Sequence, residues 1–203
     1  MKFTPVPDLV LSGVSHTYRS TLKRPVVALT PTDLTIDSGA VVALVGPEGS
    51  GKSTLLDIVA GRLLPTEGQV LLGGEPVVGP GRREVVIRPS AGSDVRAQLE
   101  EALATDPDVL LLDEPFDGLD DAERELLHED LHAIWRDSRK TVVIATADAA
   151  HAVPLATRVI VLSAGPGEVV TDVHVDFGER RQPRGALLAD PELLRFTGGL
   201  RVA

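Results

Sequence analysis

A short glycine-rich segment constrains this chain more than any other feature of its sequence. The segment consists of Gly46, Pro47, Glu48, Gly49, Ser50, Gly51, Lys52, Ser53 and Thr54, and it matches the pattern GxxxxGK[ST] at every fixed position. An apolar run at residues 41–45 precedes it, with the length of a buried strand, and a helix is expected from residue 52 to about residue 60. The segment is therefore predicted to be a P-loop, which joins a strand to a helix and binds the phosphates of ATP.

Each part of this loop has a physical task. The glycines let backbone N–H groups turn inward around phosphate oxygens, and the N-terminus of the helix adds a partial positive charge. Lys52 is placed to reach the β- and γ-phosphates. The Ser53 hydroxyl is a hard oxygen ligand that suits Mg²⁺. ATP and Mg²⁺ are therefore the expected ligands.

A second apolar strand is followed by two carboxylates. Residues 109–112 are apolar, and Asp113 and Glu114 come directly after them. Because ligand sites in parallel α/β sheets lie at the carboxyl ends of the strands, both side chains are expected near the P-loop. Asp113 is predicted to hold Mg²⁺ beside Ser53, and Glu114 is predicted to polarise the attacking water as a catalytic base.

The order of apolar and amphipathic segments indicates an α/β fold. Hydrophobic residues make up 43% of the 203 residues but aromatic residues only 3%, so the core must consist of Leu, Val, Ile and Ala. Early strands are expected at residues 9–14, 26–29 and 34–36, with a turn at residues 30–33 and a later loop at residues 73–83. We expect one domain over residues 1–203, with a polar tail from about 177 to 203 and a short helix near residues 191–196.

Charge and composition exclude several classes of function. The net charge is −10, so nucleic acid is not an expected partner. The chain has no cysteine, no segment like a signal peptide and no apolar run of about 20 residues. A cytoplasmic protein is expected. His128 and His132 are one helical turn apart on a helix expected over residues 122–136, but no third zinc ligand is evident, so both are expected on its exposed face.

Several segments resemble the ATP-binding subunits of ABC transporters. The run from Asp113 to Asp120 resembles the Walker B and D-loop segment of that family, residues 61–68 resemble the segment after its P-loop helix, and residues 190–194 resemble ATPase subunits of nitrate, sulfonate and taurine importers. The resemblance covers about residues 9–200 with a gap in the middle. It implies a RecA-like ABC core with a small N-terminal antiparallel β part, and it implies that Tyr18 stacks on adenine.

The gap lies between the P-loop and the Walker B segment. The distance along the chain from Lys52 to Asp113 is about half that usual in the family, which implies that the helical subdomain is largely deleted. In relatives that subdomain carries the surface that receives the transporter's coupling helix.

Three positions depart from the family's pattern. Arg88 stands where the Q-loop glutamine is expected, and a cation with only N–H donors cannot replace a neutral amide. Ser90 and Gly92 survive from the signature segment, but its glutamine does not. Ala147 stands where the switch histidine is expected, and His151, four residues later, is expected to be solvated.

The resemblance implies an ATP-hydrolysing importer subunit, slowed by these departures, that works as a homodimer or heterodimer with an ABC-type subunit. A membrane permease is a further partner, which would hold the chain at the inner face of the cell membrane. The alternative is an impaired ATP-binding module that regulates or assembles with a partner ABC subunit. A decayed copy is the third interpretation, and the intact P-loop and Walker B segment argue against it.

Overall fold

The structure is a computed structural model, and it describes residues 8–19, 24–81, 83–90, 93–138 and 140–175. The strands, in chain order, are β1 (Leu9–Tyr18), β2 (Val26–Ile36), β3 (Val41–Val45), β4 (Glu67–Leu72), β5 (Glu75–Pro76), β6 (Glu84–Ile87), β7 (Val109–Asp113), β8 (Thr141–Thr146), β9 (Arg158–Leu162) and β10 (Val169–His174). The helices are α1 (Lys52–Val59), α2 (Val95–Ala104), α3 (Asp121–Ser138) and α4 (Ala149–Ala152).

A six-stranded sheet in the order β10-β9-β3-β8-β7-β6 forms the centre of the fold. The five strands from β9 to β6 run parallel, and β10 pairs antiparallel to β9 at one edge. Every residue of β3, β7, β8 and β9 is buried, as expected for strands covered on both faces. Parallel pairing brings the carboxyl ends of β3, β7 and β8 to one edge of the sheet, where ligands bind in such folds.

A smaller antiparallel sheet covers one face of the larger one. Its strands follow the order β2-β1-β4-β5, and its Leu9 and Leu11 pack with Leu56 of α1 and Leu111 of β7. The opposite face of the larger sheet packs against α2, α3 and α4 through apolar side chains such as Leu99, Leu127 and Ala152. The predicted α/β core with a small N-terminal antiparallel part is therefore confirmed.

Several predicted element boundaries are wrong. Residues 30–33 do not form a turn between two strands but lie inside β2, and Pro31 is tolerated there because β2 is an edge strand. β1 continues to Tyr18, four residues past the predicted end, because it pairs with β2 along its length. The predicted loop at residues 73–83 contains β5, and β10 was not predicted at all.

The segment between β6 and α2 is short, as the spacing predicted. Only residues 88–94 separate the end of β6 from α2, which leaves no room there for a helical subdomain. The predicted polar tail with its helix near residues 191–196 lies outside the described residues. In the ranges that the structure describes, no helix is long and apolar enough to cross a membrane.

Candidate functional site

The glycine-rich loop joins β3 to α1, as predicted. Gly49 and Gly51 have φ angles of 77° and 86°, in the left-handed region that favours glycine. A Cβ atom at Gly51 would also lie 2.7 Å from the carbonyl oxygen of Ala28, so a side chain is excluded there by space as well as by conformation. These glycines let the chain turn sharply from the end of β3 into the first turn of α1.

Lys52 reaches back into this loop. Its side chain is only 6% exposed, and its Nζ donates hydrogen bonds to the carbonyl oxygens of Gly46 at 2.8 Å and Pro47 at 3.2 Å. The same Nζ lies 3.3 Å from Oε1 of Glu114. The ammonium group is therefore held inside the curve of the loop, where it would attract a phosphate.

Glu114 lies just after β7, and contacts hold both its side chain and its backbone. Besides the ion pair with Lys52, its Oε2 accepts a hydrogen bond from the N–H of Ala147 at 3.0 Å, and its own N–H donates to the carbonyl of Ala145 at 2.8 Å. Its φ is +50°, an uncommon conformation for a residue other than glycine that costs of order 1–3 kcal/mol. Such strain persists where the surroundings fix a residue, and it concentrates at functional sites.

Asp113 ends β7 and is 3% exposed. Its Oδ2 accepts a hydrogen bond from Nε of Arg88 at 2.6 Å, while its Oδ1 is buried without a hydrogen-bond partner. Nη2 of Arg88 also contacts Oδ1 of Asp57 in α1 at 3.3 Å. Burial alone would lower the pKa of Arg88, but the hydrogen bond and charge of Asp113, with the charge of Asp57, outweigh burial and raise that pKa. Arg88 is therefore a permanent cation beside Asp113.

The remaining residues of the P-loop differ in how far they are buried. Ser50 is fully buried, and its Oγ has no hydrogen-bond partner in the structure. Glu48 and Ser53 are exposed, and Pro47 is partly exposed. Ser53 directly follows Lys52, so its hydroxyl is exposed next to the residue that contacts Glu114.

Tyr18 lies beside the first turn of α1. Its hydroxyl is 3.1 Å from Oγ1 of Thr54, and its ring packs edge-on against His16 with 4.5 Å between the ring centroids. Although it is a large aromatic side chain, Tyr18 is among the exposed residues. The ring is thus anchored at two points, close to the helix that follows the phosphate-binding loop.

The structure corrects two predictions about histidines. His128 is 6% exposed and packs on Phe116 at 4.9 Å between the ring centroids, so it belongs to the buried side of α3 and not to an exposed face. His151 is not fully solvated either, since it packs against Phe116 and its Nε2 lies 3.4 Å from Oδ2 of Asp148. Neither contact could be predicted from the sequence, because both depend on how α3 and α4 pack on the sheet.

The structure brings together most of the predicted site residues. Lys52 and Glu114 form an ion pair at one edge of the sheet, and Asp113 immediately precedes Glu114. Ser53 follows Lys52 in sequence, and Tyr18 at the end of β1 contacts Thr54 in the first turn of α1. Arg88 is the residue that sequence reasoning missed as a contact. The contact follows from the parallel pairing of Ile87 with Leu112, which places the two following residues, Arg88 and Asp113, side by side, and no signal in the sequence shows this register.

The fold and these contacts define a P-loop nucleotide-binding protein of the ATPase class. Residues 29–89 match the ABC transporter family. The chain is 32% identical over 222 residues to the taurine import ATP-binding protein TauB of Yersinia pestis bv. Antiqua, covering 82% of this chain and 87% of that protein. It is also 30% identical over 225 residues to the nitrate import ATP-binding protein NrtD of Synechococcus elongatus, covering 84% and 82%. The chain therefore belongs to the ABC transporter ATP-binding family, whose members bind and hydrolyse ATP.

Solved structures agree with this assignment at the level of the fold. The bacterial ABC transporter cassette MJ0796, solved as a dimer, matches with a TM-score of 0.68 and 23% identity, covering 82% of this chain and 98% of that one. The alignment with TauB is 222 residues long, whereas this chain has 203 residues, so TauB carries residues that this chain lacks. The predicted resemblance to importer ATPase subunits is confirmed, and the chain is a shortened ABC cassette.

Proposed function

We propose that this chain is the ATP-binding and ATP-hydrolysing subunit of an importer of the taurine, nitrate and bicarbonate type. The relatives' names support the importer class. The contact that carries the proposal for hydrolysis is the ion pair between Lys52 and Glu114, because it joins the phosphate-binding loop to the end of β7. Residues 1–203 would act as a single nucleotide-binding domain.

ATP would be held by three kinds of contact. The adenine ring would stack on the exposed Tyr18. The backbone of the loop from Gly46 to Thr54 would surround the phosphates. Lys52 would exchange the carbonyl oxygens of Gly46 and Pro47 for phosphate oxygens, which are stronger acceptors because they are charged.

This exchange would also prepare Glu114 for catalysis. Once Lys52 turns toward phosphate, Oε1 of Glu114 is released from its ion pair, while Oε2 stays bound to the N–H of Ala147. Glu114 can then accept a hydrogen bond from water and orient it toward the γ-phosphorus. The water oxygen forms a bond to the γ-phosphorus as the bond from that phosphorus to the bridging oxygen breaks. ADP leaves with the bridging oxygen and the bonding electron pair, one water proton stays on the new inorganic phosphate, and the other passes to Glu114, which then releases it to solvent.

The oxygen atoms available at this edge of the sheet are of the type that binds Mg²⁺. The exposed Ser53 hydroxyl and the unpartnered, buried Oδ1 of Asp113 are the hard oxygens that Mg²⁺ prefers. Mg²⁺ would neutralise charge on the β- and γ-phosphates. Among the described residues, no group of three or more His, Asp or Glu could hold a metal without a nucleotide.

Assembly would follow the family. A dimer with a second ABC-type subunit would complete the site, and a membrane permease would hold the chain at the inner face of the membrane. MJ0796 was solved as a dimer, which supports the first part. Of the signature segment that would face a partner, Ser90 is described, whereas Ala91 and Gly92 lie outside the described residues.

Nucleotide binding by a Lys52→Ala variant tests the proposed function. Isothermal titration calorimetry with a non-hydrolysable ATP analogue should show affinity about 10- to 100-fold weaker than that of the unaltered chain, because a charged hydrogen bond is worth about 1.5–3 kcal/mol. Lys140→Ala is the matched control. Lys140 is also a mostly buried lysine in an ion pair, with Asp106 at 2.6 Å, but it precedes β8 at the opposite edge of the sheet. Equal affinity in the two variants would contradict the proposal.

A further inference from the structure

Arg88 is bound to one oxygen of Asp113, the carboxylate that is also expected to hold Mg²⁺. Residue 88 follows β6 directly and lies beside Asp113 at the end of β7, because Ile87 and Leu112 are partners in parallel strands. The Arg88 Nε to Asp113 Oδ2 distance of 2.6 Å is that of a strong, charge-assisted hydrogen bond. One of the two oxygens of Asp113 is thus already bound to a cation.

The same guanidinium is held from a second side by α1. Its Nη2 contacts Asp57, one turn beyond Lys52 and Ser53. Two carboxylates from two elements therefore fix the planar group at the edge of the sheet that the P-loop faces. A guanidinium has five N–H donors, and the Arg88 side chain is 43% exposed, so donors remain on its open side.

This placement has a consequence for the metal. Oδ1 of Asp113 has no hydrogen-bond partner, so Mg²⁺ can still bind there, but it would share the carboxylate with a guanidinium that already neutralises the charge of that carboxylate. Guanidinium groups also bind phosphate oxygens well, and they cannot lose their charge. The protein therefore already holds, beside the expected metal ligand Asp113, a cation suited to phosphate.

We infer that Arg88 is a built-in cation that takes over part of the task of Mg²⁺, so that this chain binds ATP almost as tightly without the metal as with it. Arg88 neutralises Asp113 and donates hydrogen bonds to the terminal phosphates of the nucleotide. The inference rests on the proposed function, since it requires ATP at the P-loop. It makes Arg88 a residue that determines metal dependence, and it accounts for an arginine beside a buried aspartate at this edge of the sheet.

The test is the affinity for a non-hydrolysable ATP analogue, measured by calorimetry with saturating Mg²⁺ and again with EDTA. For the unaltered chain, the dissociation constant of the analogue should differ by less than about threefold between saturating Mg²⁺ and EDTA. Arg88→Gln should bind at least about tenfold more tightly with Mg²⁺ than with EDTA, because one charged hydrogen bond is worth about 1.5–3 kcal/mol.

Arg83→Gln is the matched control for this test. Arg83 directly precedes β6, whereas Arg88 directly follows it. The Arg83 side chain is 42% exposed, and its Nε donates a hydrogen bond to Oδ2 of Asp108 at 2.7 Å. Its pair lies at the opposite edge of the sheet, so Arg83→Gln should keep the metal independence of the unaltered chain.

The outcomes separate this inference from the proposed function. Binding by the unaltered chain that is lost in EDTA, yet still requires Lys52, would overturn the inference and leave the proposed function intact. Absence of binding in both conditions would overturn both. If Arg88→Gln does not fold, the measurement on the unaltered chain decides alone, because strong metal dependence there contradicts the inference.

Discussion

At the edge of the sheet beside the P-loop, two cationic side chains are each held by carboxylate partners. Lys52 is shared between loop carbonyls and Glu114, and Arg88 is shared between Asp113 and Asp57. Each cation thus forms ion pairs or hydrogen bonds that the phosphates of a bound nucleotide would replace or supplement. Ala147 stands where the resemblance places the switch histidine, and its backbone N–H donates to Oε2 of Glu114.

The contribution of Tyr18 is testable by two substitutions at this one position. Tyr18→Ala should weaken binding of ATP roughly fivefold or more, because stacking of a base on an aromatic ring is worth about 1–3 kcal/mol. Tyr18→Phe keeps the ring and loses only the hydroxyl contact with Thr54, so its affinity should stay close to that of the unaltered chain. Calorimetry checks both, and equal affinities in the two variants would show that adenine binds elsewhere.

The sequence was informative at this scale wherever function is carried by contiguous residues. The P-loop and the Asp113-Glu114 pair each occupy one short segment after an apolar strand, so the local sequence pattern predicted both. The contact between Arg88 and Asp113 joins residues 25 positions apart, and it exists only because β6 and β7 pair in one particular register. Sequence could show that Arg88 departs from the family, but not what it binds.

An ion pair joins β9 to β10, and its arginine also contacts β2 of the smaller sheet. Arg158 donates from Nε and Nη2 to the two carboxylate oxygens of Asp172, each at 2.7 Å, and from Nη1 to the carbonyl of Thr35 in β2. The hydrogen bond from Arg158 lowers the pKa of Asp172, and the charge of Arg158 adds to this effect. The pair therefore fixes the edge strand β10 and couples both sheets.

We expect Asp172→Asn to lower the free energy of unfolding by about 1–3 kcal/mol at neutral pH, because it leaves Arg158 buried with a weaker partner. A carboxyl with a lowered pKa in the folded state stabilises the fold above its unfolded pKa of about 3.9, and this contribution is lost as the pH falls through the folded pKa. The difference between Asp172→Asn and the unaltered chain should therefore shrink below about pH 4.

Urea unfolding followed by fluorescence measures this effect. The single tryptophan, Trp135, donates from Nε1 to the carbonyl of Gly39 at 2.8 Å, so it reports on the packing of α3. Asp137→Asn is the control, because the hydrogen bond from Arg136 also lowers the pKa of Asp137, but the pair is exposed. The same loss in both variants, or a difference that does not depend on pH, would contradict the role given to Asp172.

The elements predicted correctly are those with a strong apolar pattern. The fully apolar strands β3 and β7 were found at their observed positions within one residue. β10 was missed because its residues alternate between partly buried and exposed, as in an edge strand, and include Thr171, Asp172 and His174. β2 was split in two by Pro31 and its neighbours, since sequence does not show that the strand lies at an edge where proline is tolerated.

Considered as a whole, the molecule is an ABC cassette that keeps both sheets and the P-loop but has lost most of the connection between β6 and β7. Spacing in the sequence indicated this loss, and the structure confirms it with only residues 88–94 between β6 and α2. In the proposed dimer, the second ABC-type subunit would complete the ATP site. Hydrolysis by this chain is therefore expected to depend on association of two subunits.

The decisive measurement is steady-state ATP hydrolysis by the purified chain with Mg²⁺ over a range of protein concentrations. We expect turnover per chain that rises with protein concentration and is abolished by Glu114→Gln, while Glu114→Gln still binds ATP. Turnover that persists in Glu114→Gln would remove Glu114 from the mechanism. Binding of ATP without turnover at any concentration would contradict the claim of an ATPase and leave an ATP-binding module in its place.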